Sequence, residues 1–431
     1  MLRSATYVVT AVGALVAMNF SAVPALADVQ HHAVVSENPV DITPHVLDGS
    51  VDAVVAAGNR IVVAGEFSQV RNAASGSPVI QRTNIFAYDA ATGQIDTSFT
   101  PQVDGAIYSL EEGPDDTVYL GGVFGTVNGQ TTRRLARMNL SDGSISSEFT
   151  RSRIDYGTVN AIVRRGANLY IGGRFNSITD QVTGAQRFAL ARLDSDTGAV
   201  DAGFDIRPSS PRSGTLLVKD LAVDAADSRM VIDGTFTQVN DQPRYQIAMI
   251  DLGPTASLSS WSTHQYGNTC SPNNDTYMRG IDFAPDGSYF VVVTTGGGGY
   301  GTTGLCTSAA RWESDRVGSK QDPTWVNYTG GDSLLSVSVT GAAVYVGGHQ
   351  RWMDNPLGNN SKGDANAVDR LGIAAIHPTT GKSADIPWNP TRTLGAGAGA
   401  LVATDDGLLI GSDTDQLGHE YHGRIGMFPL P

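Results

Sequence analysis

The chain has 431 residues and a formal net charge of −14 at neutral pH. Only 17% of the residues are charged and 50 are glycine, a share of about 12% where about 7% is usual. This composition lacks the electrostatic footprint of a nucleic-acid binder and disfavours adhesion to acidic membranes. It describes a turn-rich β chain.

Residues 1–27 read as a secretory signal peptide. Arg3 precedes an apolar run from Tyr7 to Phe20, and Ala25-Leu26-Ala27 has the small-x-small form of a cleavage site. Pro24 breaks the segment, against a retained anchor, and no later stretch reaches the ~20 apolar residues that span a bilayer. The expectation is a secreted, extracellular chain whose residues 28–35, with His31-His32, form a flexible mature N-terminus.

From residue 36 the chain repeats itself. "RIVVAGEFSQV" (60–70), "TVYLGGVFGTV" (117–127), "NLYIGGRFNSI" (168–178), "RMVIDGTFTQV" (229–239) and "AVYVGGHQRWM" (343–353) are versions of one line. "SYFVVVTTGGG" (288–298) and "GLLIGSDTDQL" (407–417) are weaker copies. Gly65, Gly122, Gly173, Gly234, Thr295, Gly348 and Gly411 are taken as equivalent. The glycines follow strand-forming residues and no helical pattern follows them, so they are not a phosphate-binding turn.

Each unit of about 58 residues reads as four strands. An alternating apolar strand, such as "VNAIVRR" (159–165), precedes the glycine line. A third strand follows an Arg or polar turn, as in "ALARLDSDTG" (189–198), and closes on a turn tolerant of positive φ. The fourth ends in an aromatic, as in "DTSFTP" (96–101) and "DIPWNP" (385–390). Seven such units predict an all-β, seven-bladed β-propeller of four-stranded antiparallel blades. The last unit stops after its third strand, and "SENPVDITPHVLDG" (36–49) has the fourth-strand pattern. The N-terminal strand 36–49 is therefore expected to complete the blade that ends at 431, giving one domain over 36–431. Phe67, Phe124, Phe175 and Phe236 are expected to pack between blades.

Cys270 and Cys306 are the only cysteines. They lie in the two long loops of unit five, and in a secreted chain they predict a disulfide. It would close a loop worth about 3 kcal/mol in chain entropy.

The unit-five loops and "HQRWMDNPLGNNSKGDANAVDR" (349–370) of unit six should share one face. They display Tyr266, Tyr277, Tyr300, His349, Arg351, Trp352, Asp354 and Asn355, with Trp325 and Tyr328 nearby. Aromatic surface beside Asn, Asp and Arg suits a glycan or peptide, and Tyr277, Tyr300, His349, Arg351, Trp352, Asp354 and Asn355 are the candidate ligand-binding set. The competing reading is that these aromatics fold inward onto the blade.

"GSDTDQLGHEYHGR" (411–424) gathers Asp413, Asp415, His419 and His422. Its spacing is that of the blade and it lacks the helix of a zinc motif. Calcium at Asp413 and Asp415 is the remaining metal reading, and no other cofactor is expected. Arg82, Arg187, Arg244 and Arg370 recur at one place in the repeat, with His422 in the same position. They are read as inter-blade hydrogen bonds. No G-x-S-x-G elbow occurs, and a glycosidase carboxylate pair cannot be chosen without a fold.

On its G-G-x-F units and the R-x-x-[IL]-A-x-[ILM]-[DN]-x-x-[TD]-G lines after them, the chain resembles the secreted delta-60-repeat β-propeller proteins of high-GC Gram-positive (actinobacterial) type. The resemblance spans nearly the whole mature chain. It implies a secreted or cell-surface propeller and brings no catalytic residues with it. The functional expectation is a monomeric binding or scaffold module for a glycan, peptide or cell-envelope partner, acting through the loops of blades five and six. The alternatives are an extracellular enzyme at the channel mouth, either polysaccharide-active or a quinone-dependent dehydrogenase, and a purely structural surface protein.

Overall fold

The computed structural model describes residues 29–268, 270–271, 274–296 and 304–431. The signal-peptide reading of residues 1–27 and the candidate Tyr300 lie outside them. Every regular element among the described residues is a β-strand. Seven antiparallel meanders follow one another, and they are numbered here as blades 1 to 7. Their first strands are Ser50–Ala57, Ile107–Glu112, Val159–Arg165, Val218–Val223, Met278–Phe283, Leu334–Val339 and Ala398–Thr404. Each first strand touches the next, and that of blade 7 returns to that of blade 1. The first strands thus form an inner ring, and the chain is a propeller.

Alternation along the strands produces the ring. In blade 1, Ala53, Val55 and Ala57 face blade 2, while Val51 and Val54 face blade 7. Both faces of a blade are covered, so the middle strand Arg60–Glu66 is apolar on both sides, with Val62 toward one neighbour and Val63 toward the other. Seven apolar clusters result, each joining two adjacent blades. Phe67, Phe124, Phe175 and Phe236 belong to four of them.

The leading glycine of the repeated line sits where one blade approaches the next. A Cβ on Gly172 would stand 2.7 Å from Cγ1 of Val218, in the inner strand of blade 4. On Gly411 it would stand 2.6 Å from Cγ1 of Val51, across the closure of the ring. The register also corrects two of the sequence equivalences. Thr294, opposite Met278, and Ser412, opposite Ala398, occupy the Gly65 position, where Thr295 and Gly411 were expected. Thr295, His349 and Asp413 each stand one residue further on, so they share one place in the repeat.

Full fourth strands are fewer than the repeat suggests. Blade 4 has Ser257–Leu258 and blade 5 has Trp325–Tyr328. In blades 1 to 3 the fourth strand is a single bridge, Tyr88 to Ile95, Met138 to Ile145 and Leu193 to Val200. In blade 1 the Asp96 carboxylate explains the shortening: it takes the N–H of Ser98 at 2.8 Å and bends the chain out of the ladder. The aromatic that follows is nonetheless buried. Phe149 meets Tyr119, Phe204 meets Tyr170 and Trp388 meets Tyr345, with ring centroids 5.2–5.9 Å apart.

The recurrent arginines do not bridge blades. Arg187 donates to the carbonyls of Phe204, Asp201 and Ala202. Arg244 donates to Ser259 and Arg370 to Ser383 and Ile386. Each ties the outer hairpin of its own repeat to that repeat's last segment. The fork of donors satisfies carbonyls that the truncated fourth strand leaves unpaired.

Residues 29–35, expected to be flexible, are packed. Val29 lines the central channel, and the N–H of His31 donates to Thr340 O at 2.9 Å. Val35 N–H donates to the Tyr345 hydroxyl at 3.0 Å. The chain then runs beside the last strand of blade 7, Ile425–Pro429, with Ser36 N–H to Pro429 O and Val40 N–H to Met427 O at 2.8 and 2.9 Å. His45–Val46 leaves blade 7 and pairs with Gln69–Arg71 of blade 1.

Candidate functional site

The inner ring encloses a cavity of about 830 Å³. Each of its seven strands carries a register shift at the second or third residue. A bulge adds one residue to a strand and turns it out of the ladder. Here the extra residues are Asp52, Tyr108, Asn160, Lys219, Arg279, Leu335 and Gly399, and all seven line the cavity. The backbone device is repeated and the side chain it presents never is. That end of the channel is its mouth, because the blade-connecting segments and outer hairpins lie there. Glu66, at the end of a middle strand, and Arg174, Thr295, His349 and Asp413, each next after one, stand around it.

Charge is divided across the mouth. Asp52 lies near Glu66 and Asp413. On the far side, three blades away in either direction, stand Lys219 and Arg279. Arg174 adds a third cation and pairs with Asp275 at 3.6 Å.

Below the mouth, carboxylates fill places held elsewhere by Gly, Ala, Val or Ser. The inner edge of each inner strand has no ladder partner, so its N–H groups need other acceptors. Ser109 accepts Ile162 N–H and Glu111 accepts Arg164 N–H, at 3.0 and 2.9 Å. Asp220 accepts Ile281 N–H and Asp282 accepts Val339 N–H, at 3.0 and 2.7 Å. Each contact joins one blade to the next. Burial disfavours the charged forms. It pushes Glu111 to about 7, Asp220 to about 6 and Asp282 to about 8. Asp233 takes the Asp220 N–H at 3.0 Å. Burial and the neighbouring Asp220 carboxylate push Asp233 well above the usual range. Its Oδ2 is buried with no hydrogen-bond partner among the described residues, which fits a protonated carboxyl.

The loop candidates of blades 5 and 6 divide into inward and outward groups. The disulfide Cys270–Cys306 forms, and both cysteines are buried in a core with Trp261, Tyr266, Tyr277 and Trp312. Tyr277 is therefore a core residue and does not line a groove. Asn355 is fully buried. Its Nδ2 donates to Thr329 O and Ser361 O, and its Oδ1 accepts from Gly363 and Asp364, so it fastens its own loop. Asp354 accepts Asn327 Nδ2 and the N–H groups of Ser383 and Ala384.

Arg351, Trp352 and His349 remain partly open. Arg351 makes a two-pronged ion pair with Asp332 at 2.9 and 2.8 Å, and its guanidinium lies 4.3 Å from the Trp352 ring centre. Their stacking is held in place by Asp332.

Asp413 does not present a free carboxylate. It accepts the N–H groups of Ala396 and Gly397 and pairs with Arg392 at 3.4 Å. Among the described residues no group of three or more His, Cys, Asp or Glu side chains is arranged to hold a metal ion. No helix among them is long and apolar enough to cross a membrane.

The sequence pointed to the channel mouth only as an alternative site, and none of the residues lining it was singled out. Its signal was present in "VKDLAVD" and "MRGIDF", where Lys, Arg and Asp interrupt strands otherwise apolar on both faces.

No curated protein matches the chain in sequence. Among solved structures it is similar to the computationally designed Ika8 protein, with a TM-score of 0.48 and 12% identity over 94% of this chain and 100% of that one. It is also similar to the WD40 β-propeller domain of Doa1, with a TM-score of 0.45 and 10% identity over 89% and 96%. The Myceliophteria thermophila Cps50 (Swd1) β-propeller domain gives 0.38 and 10% over 69% and 79%. The chain is an all-β propeller, and its residues 113–149, most of one repeat, match the family model of a β-propeller domain of unknown function, DUF5122.

Proposed function

We propose that this propeller is a secreted binding module of the delta-60-repeat kind, and that its partner is a glycan of the cell envelope met on the mouth face. The observation that carries the reading is the Arg351–Trp352 stack, held by Asp332 and left partly open beside His349. An aromatic ring held in one orientation offers an apolar contact at low entropic cost, and the neighbouring polar groups fix the orientation of a sugar. The disulfide suits an oxidising compartment.

The test is retention of the purified protein on cell-wall polysaccharide, with Trp352→Ala and Asp332→Asn alongside. The reading expects retention that both variants lose while their melting curves stay close to the parent's. Equal retention of all three proteins, or retention on peptides only, would overturn it.

A further inference from the structure

The channel mouth lies apart from the Trp352 surface, since neither Trp352 nor Arg351 lines the channel. Its bulged residues share one backbone geometry but differ in chemistry, so the repeat scaffold does not require their side chains. Lys219 is the clearest case. Its ammonium makes no hydrogen bond or ion pair with any described residue; burial and Arg279 lower its pKa, while Asp220, Asp233 and Asp52 favour its charge. Arg279 uses one guanidinium nitrogen on the carbonyls of Thr276 and Met278. Across the cavity, Asp52 accepts one hydrogen bond, from Ser50 Oγ at 3.2 Å to Oδ2. Glu66 and Asp413 keep that side acidic.

We propose that the mouth binds a small zwitterion of the amino-acid or short-peptide class, with its carboxylate on Lys219 and Arg279 and its ammonium on Asp52. A cavity of about 830 Å³ falls within the range of small-ligand sites, roughly 300–1,000 Å³. Opposed charges on opposite walls select a ligand carrying both, because a ligand with one charge leaves the other wall unpaired.

The probes are tri-alanine, its N-acetyl form and its C-terminal amide, titrated calorimetrically into the full chain. Tri-alanine should bind saturably, and either blocked form should bind roughly tenfold more weakly or worse, the loss of one charge-assisted contact. Lys219→Met should weaken tri-alanine by a similar factor and leave the C-terminal amide unaffected. Asp52→Asn should weaken tri-alanine and leave the N-acetyl form unaffected. The blocked peptides act on the unaltered protein, so a variant that fails to fold does not decide the outcome. Absence of saturable binding at millimolar peptide, or equal binding of all three probes, would overturn the proposal. The polysaccharide result at Trp352 is read separately, so either proposal can fail alone.

Discussion

The Asp282 carboxylate accepts the backbone N–H of Val339 at 2.7 Å, joining blades 5 and 6 from the channel wall. Burial raises this group to about 8, with Asp220 adding to the shift and Arg165 opposing it. An unfolded aspartate titrates near 4. The native state therefore holds more protons, and stability falls as pH rises from about 4 to about 8. Glu111, at about 7, and Asp220, at about 6, act in the same direction. His45, lowered to about 4 by burial and the nearby His422, acts only below its ordinary value of 6.5. Between pH 6.5 and 8.5 the raised carboxyls dominate, so the melting temperature should fall across that window. Asp282→Asn keeps an acceptor for Val339 and cannot ionise, so it should flatten the fall. Melts at both pH values check this, and a slope unchanged in the variant would refute the assignment.

Gly172 marks the contact between blades 3 and 4. A methyl there would stand 2.7 Å from Cγ1 of Val218 and 3.1 Å from Cδ2 of Leu221. Gly172→Ala should cost about 1–3 kcal/mol, the usual range for overpacking. Val218→Ala combined with it should recover part of that loss, because the methyl then has room. Denaturant titration of the two single variants and the double is the check, and simple additivity would disprove the contact.

The propeller was legible because its signal repeats. One line recurring through the chain defines the strand order, and Gly172 and Gly411 keep their place for a packing reason that Gly121 and Gly347 share. The side chains of the channel were not legible because they depend on what differs between blades at a bulge. Lys219 and Arg279 stand three and four blades along the chain from Asp52, and only ring closure sets them facing. The aromatic loop was misread for a related reason. Tyr277 and Trp352 look alike in sequence, but Tyr277 joins the Trp261–Trp312 core, while Trp352 begins a two-residue strand and stays partly open.

The Cys270–Cys306 disulfide should contribute about 3 to 4 kcal/mol through its closed loop. Both sulfurs are buried beside Tyr277 and Trp312, so the bond fastens loop to core. Cys270→Ser with Cys306→Ser should lower the melting temperature and raise the fluorescence response of the Trp261–Trp312 cluster to quenchers. Unchanged quenching alongside an unchanged melt would show that the core holds those loops without the bond.

Residues 29–40 should be part of the folded unit. His31 donates to Thr340 O and bonds Thr404 O, which anchors it to the inner strands of blades 6 and 7. Trp388 Nε1 donates to Ser36 O at 2.9 Å, and Ser36 and Val40 cover the outer edge of Ile425–Pro429. A chain beginning at residue 41 would leave that edge open, and an open edge recruits strands from other molecules. Compared with a chain beginning at residue 29, it should melt at a lower temperature and elute partly as oligomers in size-exclusion chromatography. Tyr345→Phe in the longer chain removes only the hydroxyl that accepts Val35 N–H, so it should lower the melting temperature slightly without oligomers. Matching melts and monomeric elution for both chain lengths would show that the ring closes without this segment.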